Sequence, residues 1–99
     1  MPLYGLTDVR INQKGRVTRA RMQRIDGSTN AWIGQPGEFE AHEIAKMIVA
    51  GDTVYGVFII PGGTTLGPRF RRVVHDLGIE GIQLEQDVEG CRIRDLVLF

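Results

Sequence analysis

The sequence predicts an α+β fold: a curved, mainly antiparallel sheet of four to six strands with one helix, about residues 38–50, packed across one face, in the order ββαβββ. Three observations carry this. Two β-rich segments flank a short turn near the start, a helical apolar stripe occupies the middle, and a nearly continuous apolar run follows it.

Leu3 to Asn12 and Arg16 to Ile25 are rich in β-branched and apolar residues, and Asn12-Gln13-Lys14-Gly15 between them has the chemistry of a hairpin loop. A loop at 12–15 pairs Ile11 with Arg16, Val9 with Thr18, Thr7 with Ala20 and Gly5 with Met22 as the more apolar face. The other face, expected to be exposed, then pairs Arg10 with Val17, Asp8 with Arg19, Leu6 with Arg21 and Tyr4 with Gln23. Asp26 to Asn30 is a turn-rich loop, and Gly34, Pro36 and Gly37 mark residues 26–37 as a connector carrying Trp32 and Ile33.

From Glu38 to Ala50 the apolar residues Ala41, Ile44, Ala45 and Ile48 recur at helical spacing, with Met47 beside them. Glu38 and Glu40 suit the positive end of the helix dipole, and Gly51 suits its closing left-handed residue. Ile44 and Ile48 are therefore expected in the core. Thr53 to Ile60 reads as the central strand. Pro61 to Pro68 reads as a loop, either a plain hairpin connection or a ligand-contacting one. Arg69 to His75 reads as a strand for which a short helix competes. Ile82 to Glu85 alternates, Asp87 to Gly90 turns, and Cys91 to Phe99 supplies a final strand.

A chain of 99 residues with 42% hydrophobic and 24% charged content is sized for a single small globular domain over 1–99. No apolar run approaches the ~20 residues a membrane helix needs, no secretory signal is visible, and the lone Cys91 forms no internal disulfide. A cytoplasmic location is the expectation.

Charge is segregated along the chain. The segments 1–24, 25–60, 61–75 and 76–99 carry +5, −4, +3 and −4, cancelling to zero. Such zones can orient a partner or a second copy of the chain. The candidate partner-binding residues are Arg10, Arg19 and Arg21 on the hairpin, with Tyr4 near them, and Arg69, Arg71 and Arg72 after the loop. They suit an acidic protein partner or, less well given the neutral total, nucleic acid.

No catalytic constellation stands out. His42 and His75 are separated and supply no metal-ligand cluster, Cys91 has no base beside it in sequence, and the glycines of residues 61–68 lack the phosphate-loop and dinucleotide patterns. The expectation is a chain without catalytic residues, metal or cofactor.

Leu6-Thr7-Asp8-Val9-Arg10 with Gly15-Arg16-Val17, then Trp32, Ile44 to Gly51, Tyr55-Gly56-Val57-Phe58 and Asp95-Leu96-Val97-Leu98, resemble in their order a bacterial family known as domain of unknown function 3892. That family opens on a strand hairpin, places a tryptophan before a helix closing on glycine, and ends leucine-rich. The chain departs from it in the Pro61 to Pro68 segment and in having no proline near the terminal leucines. The resemblance implies architecture and a bacterial or phage origin, with no activity to transfer. The expected function is a non-enzymatic protein-interaction module that self-associates as a homodimer, with the exposed C-terminal strand region as interface. The alternative is a nucleic-acid-binding accessory protein using the basic hairpin.

Overall fold

The computed structural model describes residues 2–99. Seven strands and one α-helix follow in the order β1 (Leu3–Ile11), β2 (Val17–Ile25), β3 (Trp32–Glu40), α1 (Ala41–Val49), β4 (Thr53–Ile60), β5 (Gly63–Val74), β6 (Glu80–Leu84) and β7 (Val97–Leu98). Short 3-10 turns at Asp76–Gly78 and Ile93–Asp95 precede the last two strands. The class is α+β, with more strands than the sequence suggested. The sheet runs β3-β2-β1-β4-β5-β6, and it is mixed: β1 lies parallel to β4 and to β7, while its other edge pairs antiparallel with β2.

The hairpin turn forms where expected. Asn12 Oδ1 accepts hydrogen bonds from the Lys14 and Arg16 amides at 2.9 and 3.0 Å, and Gly15 adopts φ +76°. The register differs from the predicted one. Asp8 faces Arg21, Val9 faces Ala20, Leu6 faces Met22 and Gly5 faces Gln23, because irregularities at Thr7 and Thr18 break the strict alternation. Leu6, assigned to the exposed face by simple alternation, is fully buried beside Val9, Val17, Ala20 and Met22. A bulge at Thr7 lets Leu6 and Val9, three residues apart, both turn inward.

The connector expected at 26–37 becomes strand β3 from Trp32 onward, and β3 runs directly into the helix. Its glycines and Pro36 are tolerated because β3 is an edge strand, where a missing amide donor leaves no ladder bond unmade. Helix α1 accordingly starts at Ala41 rather than Glu38. Glu40 occupies the N-cap position, and its amide donates to Glu43 Oε1 at 3.0 Å. The far end closes as a Schellman motif: Asp52 N donates to Met47 O and Gly51 N to Ile48 O, both at 3.0 Å, with Gly51 at φ +108°.

The expected loop 61–68 shrinks to the turn Pro61-Gly62. A proline at the first central position and Gly62 at φ +89° at the second suit a type II turn, so Gly63 to Pro68 continues the sheet. Residues 69–74 belong to the same long strand, which excludes the helical alternative there. The inner face of the curled sheet packs against α1, chiefly from β5 and β6. Ile44, Ala45, Val54, Phe58, Phe70, Ile82 and Leu96 join the buried hairpin residues in one cluster, while Ile48 packs at its margin and is only partly buried. Phe58 lies over glycines. A methyl group built on Gly56 or Gly67 would sit 2.6 or 2.3 Å from Phe58 Cε2.

The C-terminal segment pairs with β1 along one edge. Val97 and Leu98 pair with Asp8 and Val9, Leu96 is buried, and Phe99 N donates to Val9 O at 3.1 Å. Among the described residues, no helix is long and apolar enough to cross a membrane.

Candidate functional site

The arginines singled out from the sequence fall into two groups on strands separated by β4. On the hairpin, Arg10 and Arg21 come together around Phe99. Their guanidinium carbons stand 4.9 and 4.2 Å from the centre of its ring, Arg10 Nε donates to Phe99 O at 3.1 Å, and Arg21 lies 3.6 Å from Asp8 Oδ2. Arg19 Nε lies 3.1 Å from Glu38 Oε1 without the alignment of a hydrogen bond. On β5, Arg69 Nε donates to Glu85 Oε2 at 3.0 Å and Arg72 Nε to Glu80 Oε1. Arg71 alone of the candidates makes no ion pair or side-chain hydrogen bond among the described residues. Exposed pairs of this kind contribute at most about 1 kcal/mol each. Their consequence is charge matching: Arg19, Arg69 and Arg72 of the basic segments each stand beside a carboxylate of the acidic segment that follows.

Exposed apolar side chains gather on the outer face of the sheet. Ile25 on β2 and Trp32 on β3 are register neighbours, and both side chains lean over Gly5 of β1. A methyl group at Gly5 would stand 2.7 Å from Trp32 Cη2 and 2.9 Å from Ile25 Cδ1, so only glycine leaves room for the indole there. A groove lies beside the indole. Ile25, Trp32, Val57 and Leu66 line it, with Asn30, Thr64 and Thr65 at its polar margin, enclosing about 380 Å³. Ile59 continues the same face of β4, two residues beyond Val57. Trp32, Ile59 and Leu66 are 46%, 67% and 45% exposed, an apolar area that folding within this chain leaves uncovered.

Sequence reading missed this patch. Its signal was a Trp-Ile pair inside an otherwise polar, glycine-rich stretch, together with an isolated glycine inside the strand pattern of residues 3–11. Both histidines, separated in sequence, line a second cleft at the turn end of the hairpin. Among the described residues no three His, Cys, Asp or Glu side chains gather to hold a metal ion. Comparison with protein-family models, curated proteins and solved structures finds no match to this chain.

Proposed function

We propose that the protein is a non-enzymatic interaction module that self-associates as a homodimer through the outer face of its sheet. The observation that carries this reading is the exposed apolar surface around Trp32. A tryptophan spread over a glycine, with Leu66 and Ile59 exposed on the same face, has the composition of an interface anchor, since interface energies concentrate in a few aromatic and aliphatic groups.

A second copy is the occupant that fits best. The charged zones are neutralised within the chain, leaving the exposed groove without a surrounding field of one sign. Two such faces related by a twofold axis present each other with apolar surface. The C-terminal segment, expected from the sequence to supply the interface, pairs with β1 within the chain along one of its edges. The same internal pairing weighs against an acidic protein partner and against nucleic acid, because Arg10, Arg19, Arg21, Arg69 and Arg72 already face acceptors or an aromatic ring.

Sedimentation velocity across micromolar concentrations, with tryptophan emission recorded on the same samples, tests the reading. Trp32 is the only tryptophan, so its emission reports on this face alone. Wild type should associate with a blue shift, and Ile59→Lys, at an exposed position, should remain folded and monomeric. A wild type monomeric throughout that range overturns the proposal. A salt-sensitive mobility shift with short DNA or RNA would move the assignment to nucleic acid.

A further inference from the structure

The cleft at the turn end of the hairpin is separate from the outer-face groove and shares no lining residue with it. It encloses about 750 Å³, within the range of small-molecule sites. Three parts of the chain build it: the turn and first residues of β2, the start of α1, and the connection from β5 to β6. Val17, Ala41 and Ile79 supply apolar lining, and the functional rim is Lys14, Arg16, His42 and His75, with Glu40 and Glu80 the acidic members.

The acidic members are already engaged. Glu80 Oε1 accepts from Arg72 Nε, and Glu40 Oε2 lies 3.4 Å from His42 Nδ1. The basic members are less so. Lys14 makes no ion pair among the described residues, and Arg16 has only Asp76 at the 4.0 Å limit, a carboxylate standing almost wholly in water. His75 is placed by close packing: its Nε2 lies against Gly81, where a methyl group would come within 2.6 Å. The cations of the rim are thus less engaged than its carboxylates, and they stand beside apolar surface.

From this we infer that the cleft is a binding site for a small organic anion, a carboxylate or phosphate monoester with an apolar body. Lys14 and Arg16 meet the charge from the hairpin side, His75 donates to it from the β5–β6 side, and Val17, Ala41 and Ile79 cover the apolar part. Glu40 and Glu80, beside His42 and Arg72, select against a second negative group on the occupant. The site is independent of self-association through Trp32.

Amide and imidazole NMR spectra of the full chain, titrated with phenyl phosphate, benzoate and inorganic phosphate at fixed pH and ionic strength, test the inference. Phenyl phosphate and benzoate should shift Lys14, Ala41, His42 and Gly81 saturably and more strongly than inorganic phosphate. Lys14→Gln should weaken binding about tenfold, as loss of a charge-assisted hydrogen bond does. Gly81→Ala, which keeps every charge but displaces the His75 ring, should weaken it several-fold while the spectrum elsewhere stays native. The inference is overturned if no saturable shift appears in the cleft, if the shifts map to Trp32 and Leu66 instead, or if neither variant changes the affinity. Equal response to inorganic phosphate and phenyl phosphate overturns the role given to the apolar lining.

Discussion

Replacing Gly67 by alanine isolates the packing of Phe58 from every other feature of the fold. The backbone at Gly67 is not in the left-handed region, so alanine meets no conformational penalty there and should gain about 0.4–1 kcal/mol from its stiffer unfolded chain. Sterics decide against it. The new methyl group would stand 2.3 Å from Cε2 and 2.6 Å from Cδ2 of Phe58, whereas carbon atoms rest at about 3.5–4.0 Å, so the ring must withdraw by roughly 1 Å. Phe58 is fully buried and also lies against Gly56, which leaves it no free direction of retreat. Overpacking of this kind costs about 1–3 kcal/mol, giving a net loss of about 1–2 kcal/mol once the chain-stiffening gain is subtracted. Urea denaturation followed by circular dichroism measures it. The decisive comparison is the same substitution in a Phe58→Leu background, where the ring is gone. There Gly67→Ala should be neutral or mildly stabilising, a coupling of at least about 1 kcal/mol. An equal cost in both backgrounds refutes the idea that Phe58 is what reserves this position for glycine.

Ile44→Ala should cost about 3–4 kcal/mol and Ile48→Ala no more than about 2, because Ile44 is enclosed whereas Ile48 lies at the margin of the core; a reversed order in thermal melts would show the helix rotated from its described face. Asp26 accepts hydrogen bonds from the Ser28 hydroxyl and amide at 2.7 and 2.9 Å, which hold its carboxyl below the ordinary 3.8. A depressed folded value means that the associated stability is present above the unfolded value and lost as pH falls through the folded one, so a carboxyl NMR titration midpoint at or above 3.8 contradicts this turn geometry. Leu77 sits at φ +64° with its side chain 98% exposed, a conformation asparagine adopts more readily, so Leu77→Asn should raise stability by about 0.5–1 kcal/mol in the same denaturation assay.

Elements governed by local chemistry could be read from residues alone, and those governed by distant neighbours could not. The turn at Asn12 to Gly15 depends on a side chain bonding amides two and four residues on, and the end of the helix at Gly51 on one residue's backbone freedom. The hairpin register depends on where Leu6 can be buried, which only the rest of the core decides, and the cost of leaving it exposed exceeds that of a bulge. Strand β3 was hidden because Gly34, Pro36 and Gly37 carry turn chemistry, and only the place of that segment at the sheet edge makes them compatible with a strand. Glu38 and Glu40 looked like helix-start signals. Glu40 is one, as the N-cap residue, while Glu38 lies on β3 opposite Arg21 and beside Arg19. The arginines were visible as a charge pattern, but their acceptors, from Glu38 to Phe99, come together only in three dimensions. The Trp32 groove was legible only in fragments, since it needs Gly5, Val57 and Leu66 on separate strands to meet.

Strand β1 is made early and completed late. One of its edges is satisfied by β2 after a five-residue turn, whereas the other waits for residues 53–56 and then for residues 97 and 98. During synthesis on a ribosome, an open row of amides and carbonyls flanked by Leu6 and Val9 therefore persists until residues 97 and 98 have emerged. Closing such long loops is entropically slow, and parallel pairing adds nothing until both segments are in place. The expected kinetics are those of a high-contact-order domain, milliseconds to seconds, with a half-built hairpin as the species most exposed to pairing with another chain's strand.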